Sequence, residues 1–293
     1  MIGKAISTFL FFTIIYPVLA LGWAESASTQ EGALQIAKNR LASIEDRKKA
    51  IDQLKSNQDP EMIPPLIEIV RNPEEAIAVR GYIVEMLIEL EDDWATLELK
   101  KISKDSTLSS ETQKLALYAL WKKDAQAMKP ELMSLAKNVG IPADLRMTAL
   151  TYLSQTGGDW PPEFWVDLYI QKSNPPPVRI AALNGMREFD LLTNEKAAIL
   201  KVIQDPREPT ELRKSTVLMA GRIFPPGEFE RGLISILLES ENSLEMKRFA
   251  LDNLVSSNNK ALLPQLKRIL SQERNPILSN ELKTLIATLS SKS

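Results

Sequence analysis

One register runs through almost the whole chain and limits what it can fold into. A long polar side chain is followed by apolar or small residues three, four and seven positions later. The frame is plainest at Arg146, with Ala149, Leu150 and Leu153. It recurs from Arg47, Arg80, Gln113, Arg179, Arg213 and Lys247, and a degenerate copy starts at Leu282. Successive copies are 33, 33, 33, 33, 34, 34 and 35 residues apart. Unrelated amphipathic helices would drift out of such a register, so the chain reads as an array of repeats. At ~100° per residue the third, fourth and seventh positions share one helix face. Alanine holds the third position in five of the first seven copies, which lets neighbouring helices approach closely. The anchor falls on the same face one turn earlier. From there a long side chain lays its stem on the core and sends its head to a neighbouring loop or to water.

A second set of helices lies between these. The pattern predicts them near Pro60 to Val70, Trp94 to Ser103, Asp124 to Lys137, Pro161 to Gln171, Glu195 to Gln204, Glu228 to Leu238 and Lys260 to Leu270. Turn signals such as Asn72-Pro73, Asn174-Pro175, Asp205-Pro206 and Asn275-Pro276 separate them, because these residues cap helices and fix φ. No stretch alternates as a strand does. The expectation is an all-α, α-α superhelical solenoid of about seven to eight helical hairpins. Whether the first pair, about Ser28 to Ser56, is a true repeat or a cap stays open. Trp94, Trp121, Trp160 and Trp165 are expected as core or inter-repeat wedges. The Trp160 to Trp165 cluster reads as a hydrophobic staple at a helix start.

A helix ending near Asn-Pro or Asp-Pro, then Leu or Val, Arg, two residues, Ala-Leu, two residues and Leu, resembles a HEAT repeat. The best copies are Leu145 to Leu153 and Val178 to Met186. The resemblance covers roughly residues 30 to 290, with units of the short HEAT-like kind. It implies a curved superhelix whose second helices line a concave face that binds proteins or peptides. The family's turn Asp is present only in places, such as Asp205, so a continuous Asp-Arg ladder is not implied. Ankyrin repeats would need a histidine, and the tetratricopeptide spacing does not recur.

The chain has 293 residues with neither cysteine nor histidine. Disulfides, thiolate or imidazole metal sites, cysteine nucleophiles and Ser-His-Asp triads are therefore excluded. HEAT-like enzymes resembling deoxyhypusine hydroxylase use His-Glu pairs on iron, which this composition cannot supply. Those resembling alkylpurine DNA glycosylases need a basic groove. With 36 Lys plus Arg against 38 Asp plus Glu, no such groove is expected, and no nucleic-acid partner. Phycobilin lyase subunits are also built from short HEAT-like units, but no cysteine or histidine here could help handle a chromophore.

Carboxylates do cluster, at Glu74-Glu75 and at Glu89 with Glu91, Asp92 and Asp93. They lie at hairpin ends, where acids favour helix N-termini and stay solvated. The capping reading is preferred to paired acid-base catalysis. Glu91-Asp92-Asp93 lacks the spaced ligands and glycine of a calcium loop, so no metal and no cofactor is expected. The face opposite the core carries a row with little charge. Its members Tyr82, Leu115, Tyr118, Thr151, Asn184, Leu218 and Phe249 are the candidate partner-binding residues. The alternative is that they pack on adjacent repeats. The functional expectation is a non-catalytic scaffold, not an enzyme, holding a protein or peptide on the concave face. The alternatives are an enzyme or enzyme subunit using carboxylates in the groove, and a structural spacer. An enzyme predicts converging, poorly solvated acids with at least one raised pKa.

Residues Met1 to Ala24 carry Lys4, an apolar run from about Phe9 to Leu21, and Gly22-Trp23-Ala24 before Glu25. This is the layout of a secretory signal peptide cleaved near Ala24. It predicts an exported protein, periplasmic or secreted, with residues 25–293 as the repeat domain and no remaining membrane span. An uncleaved N-terminal anchor is the alternative. Neither the oligomeric state nor the partner's identity follows from the sequence.

Overall fold

The computed structural model describes residues 29–57, 60–90, 92–157, 161–187 and 191–291. The expected signal peptide, Glu91 and Trp160 lie outside them. The described residues are helical and contain no strand. They form eight helical hairpins. The first is α1 (29–38) with α2 (Ile44–Asn57). There follow α3 (Ile63–Arg71) with α4 (Ile77–Glu89), and α5 (Asp93–Lys104) with α6 (Ser110–Lys123). Then come α7 (Lys129–Lys137) with α8 (Ala143–Thr156), α9 (Pro162–Ile170) with α10 (Pro176–Gly185), and α11 (Thr193–Gln204) with α12 (Thr210–Ile223). The last two are α13 (Pro226–Leu238) with α14 (Leu244–Ser257), and α15 (Leu263–Gln272) with α16 (Pro276–Ser291). Two compact units divide them, Met1–Met128 and Lys129–Ser293. The expected all-α array of helical hairpins is the fold.

The repeat register builds the core directly. In the first seven copies every residue at the third, fourth and seventh position after the anchor is buried, from Ala50, Ile51 and Leu54 to Ala250, Leu251 and Leu254. Helix starts follow from local chemistry. The Asp92, Ser109 and Ser243 side chains accept from the third residue on, Ala95, Thr112 and Met246, and cap α5, α6 and α14. Prolines sit in the first turns of α3, α9, α10 and α13, where a missing N–H costs no helical bond. One boundary differs from expectation. The helix placed at Asp124 starts only at Lys129, because Asp124 Oδ1 accepts from the Ala127 N–H and holds a turn there.

The anchors do more than cover the core. Arg47, Arg146, Arg179 and Arg213 are each 2% exposed, so the head group is buried with its stem. Each Nε donates to the carbonyl ten residues earlier, on Ala37, Ala136, Tyr169 and Ile203, at 2.6–3.0 Å. The Nη groups reach the turn of the following hairpin, 28 or 29 residues on. There they meet Glu75, Asn174, Glu208 and Asn242. One side chain thus ties its own hairpin shut and bonds the next. Arg47 with the same bonds makes the first hairpin a true repeat.

A second periodic element lies eight residues before the anchor. Asn39, Asn72, Asp105, Asn138 and Asp205 each accept from the backbone N–H two residues on, at 2.9–3.0 Å. These Asx turns close the link between the two helices of five of the hairpins. Among the described residues Trp165 is the one tryptophan that is fully buried, as expected of a wedge. A Cβ on Gly185 would stand 2.2 Å from its ring, so only glycine admits it there. Trp94 departs from expectation: on the solvent side of the first turn of α5 it is 42% exposed. No helix among the described residues is long and apolar enough to cross a membrane.

Candidate functional site

The first unit holds an acid-lined cleft of about 460 Å³ where its first two hairpins meet. Asp52, Lys55 and Ser56 come from α2, Pro60 and Ile63 from the start of the second hairpin, and Glu89, Leu90 and Asp92 from the end of α4 and the turn beyond it. The register explains the gathering. Asp52 and Lys55 lie five and eight residues after Arg47, on the side of α2 turned away from the core. Glu89 lies nine after Arg80 on the adjacent copy, so one face of α2 meets the same face of α4.

The polar groups are held differently. The Tyr82 hydroxyl donates to Asp52 Oδ1 at 2.5 Å and fixes that carboxylate. This bond, with burial and the charge of Asp52 adding to it, pushes the Tyr82 phenol up to about 12, so it stays a donor at neutral pH. Lys48 lies over the Tyr82 ring, 5.1 Å from its centroid. Lys55 pairs with Glu89, both partly open to solvent. Asp92 is spent on capping α5. Asp52 and Glu89 face water, so the arrangement suits holding charge. It lacks the pair of poorly solvated acids that acid-base catalysis needs.

Glu75 corrects the expectation that the clustered acids stay solvated. It is buried against Arg47, with both carboxylate oxygens 2.6 Å from the guanidinium. Burial pushes its pKa up, but the bonds and charge of Arg47 and the Ala76 N–H outweigh this and hold it below its ordinary value. No group of three or more acidic side chains among the described residues could hold a metal ion.

The row Tyr82, Leu115, Tyr118, Thr151, Asn184, Leu218 and Phe249 divides in two. Tyr82, Leu115, Tyr118 and Phe249 are half-buried. Leu115 packs against α4 beside Gly81, and Tyr118 lies 6.5 Å from Trp121, ring to ring. Lys214 covers Phe249 as Lys48 covers Tyr82. Thr151, Asn184 and Leu218 are exposed. Leu218 and Phe249, both in the second unit, line different cavities. Asp52 and Lys55 escaped the sequence reading because their face in the first copy looks like any solvated helix side.

No protein-family model and no curated protein matches the chain. Several solved structures are similar to it, two of them as follows. Human deoxyhypusine hydroxylase in complex with glycerol is 11% identical with a TM-score of 0.37, over 93% of this chain and 100% of that one. The complex of CpcE and CpcF of phycocyanin lyase from Nostoc sp. PCC7120 is 15% identical with a TM-score of 0.30, over 89% and 94%. The expectation of a non-catalytic scaffold finds no support in these neighbours, one named a hydroxylase and the other a lyase, and it is withdrawn. The expectation that the chain is not an enzyme fits them poorly as well. At these identities the likeness reaches the helical-repeat fold and stops short of any reaction. The class defined here is therefore an all-α helical-repeat protein.

Proposed function

We propose that the chain is the recognition subunit of an enzyme and that the acid-lined cleft holds a cationic group of the substrate. One observation carries this: Asp52, Glu89 and Asp92 converge on about 460 Å³ with Lys55 as the only cation lining it among the described residues. With Asp92 occupied by the cap, Asp52 and Glu89 are the carboxylates that meet a guest. Tyr82 pre-orients Asp52, which lowers the ordering cost of binding. The exposed Lys55–Glu89 pair is worth ~0–1 kcal/mol, so an arriving cation displaces it easily. Calorimetric titration with a lysine-rich peptide tests the reading against the same peptide with alanine for lysine. Wild type should select the lysine peptide, and the Asp52→Asn/Glu89→Gln double variant should bind it at least tenfold more weakly. Equal affinity for both peptides, or no change in the double variant, overturns it.

Export belongs to the same proposal. It is supported by the charged start, apolar run and small residues of Met1 to Ala24. Edman or mass-spectrometric reading of the native N-terminus should find Glu25. A retained leader in a membrane fraction would establish the anchor instead.

A further inference from the structure

The second unit contains a smaller cavity, of about 260 Å³, between α12, α13 and α14. Its walls are Val217 and Leu218 on α12 and Pro226 and Phe229 on α13. Gly221 leaves the room that the Phe229 ring fills, since a Cβ there would stand 3.1 Å from the ring. Glu230 lines this cavity and is only 2% exposed. Its Oε2 accepts from the Asn259 amide, while its Oε1 has no hydrogen-bond partner among the described residues. Among the described residues no arginine or lysine lines the cavity.

A buried carboxylate oxygen left without a donor is costly, and a native protein keeps such a group for a reason. The remaining polar groups indicate what is missing. The Ser256 and Ser257 hydroxyls already donate to the Asp252 and Leu254 carbonyls, and the Asn253 amide donates to the Phe249 carbonyl. Both serine donors are engaged in those bonds and leave hydroxyl lone pairs, while the Asn253 amide keeps its carbonyl oxygen as an acceptor beside one further N–H. A site of acceptors, one of them a buried carboxylate, behind aliphatic walls and an aromatic ring fits a donor-rich cation on an apolar stem.

We propose that this cavity binds a primary alkylammonium group, with the ammonium on Glu230 Oε1 and its methylene stem along Leu218 and Phe229. The group is either a free small amine or the lysine side chain of a protein. The site shares no residue with the acid-lined cleft, so either can fail alone. The test is titration of the full chain with n-butylammonium, followed by amide chemical shifts and calorimetry. The neutral 1-pentanol is the control, and a lysine-containing peptide is compared with its acetyl-lysine form. Wild type should bind n-butylammonium with shifts confined to α12, α13 and α14, and pentanol at least tenfold more weakly. Glu230→Gln should lose tenfold or more. Ser256→Leu, an exposed position at the mouth, should lose a similar amount by blocking entry, and keeps the test sharp if Glu230→Gln folds poorly. Tighter binding of the lysine peptide than of the free amine, lost on acetylation, identifies a protein lysine; the reverse order identifies a small amine. Equal affinity for amine and alcohol, undiminished binding by a folded Glu230→Gln, or no binding by wild type overturns the proposal.

Discussion

The second unit bonds its anchors in one way three times running, at Arg146, Arg179 and Arg213. The first unit does so once, at Arg47, and then departs from it. Arg80 reaches Thr112 instead and leaves its Nε without a partner among the described residues. Gln113 turns back to the Asp105 and Leu108 carbonyls of its own hairpin. The difference lies in the acceptor five residues before the next anchor. Where that residue is Glu75, Asn174, Glu208 or Asn242, the buried head group of the previous copy is satisfied. After Arg80 the position is Leu108, which has no side-chain acceptor. Burial of the anchor follows from the helical register alone, whereas its bonding depends on one turn residue in the next copy.

The largest effects should separate these two kinds of step. Arg179→Leu strands the Glu208 carboxylate, whose side chain is 4% exposed, with Lys172 at 3.4 Å as its remaining ion-pair partner among the described residues. A loss of ~3–5 kcal/mol in urea unfolding is expected, as for other broken buried pairs. Arg80→Leu removes a cation that has no carboxylate partner among its hydrogen bonds, and should change stability by about 1 kcal/mol or less. Equal losses at the two sites would show that the acceptor is not what distinguishes them.

Acid should attack the bonded steps first. Glu208, like Glu75, is pushed up by burial but held net below its ordinary value of 4.5 by its arginine, here Arg179 with help from Lys172. A depressed folded pKa adds stability that is fully present above the unfolded value and is lost as pH falls through the folded one. Stability should therefore hold above about pH 4.5 and fall below it. Glu75→Gln and Glu208→Gln should each flatten that fall in a pH series of denaturant midpoints.

Close packing divides the units in the same direction. Gly185→Ala drives a Cβ into the Trp165 ring and should cost ~1–3 kcal/mol. Gly81→Ala in α4 meets only Leu115, at an ordinary 3.6 Å, and should gain ~0.5–1 kcal/mol from helix propensity. Thermal melts of the two variants should move in opposite directions.

These contrasts mark what the sequence can show. The eight copies, their phase and their buried positions follow from spacing, because a helix face is a matter of periodicity. The Asx turns were equally visible, at Asn39, Asn72, Asp105, Asn138 and Asp205, but short polar residues in turns look alike until their bonds are seen. The ladder needed the acceptor position as well as the anchor, and that position alternates between Glu and Asn, so no single letter repeats. Tyr82 was picked out for its aromatic ring. Its bond to Asp52, 30 residues away, depends on how two helices are set side by side, which periodicity within one helix does not encode.

A gain in place of a loss would sharpen the comparison most. Leu108→Asn places in the third hairpin the acceptor that Asn174 and Asn242 supply elsewhere. Leu108 is half-buried in a turn, so the change removes little core. If the acceptor alone decides the bonding, the Arg80 head should leave Thr112 and adopt the ladder geometry, with Nε on the carbonyl ten residues earlier. The expected gain is ~0.5–1.5 kcal/mol, the net worth of one buried hydrogen bond. The diagnostic is the Arg80 side-chain Nε–H resonance, which should become as protected from exchange as those of Arg47 and Arg179. A gain in stability without that protection would mean that the introduced amide acts within its own turn. Protection without a gain would mean that the Thr112 bond was already worth as much as the ladder.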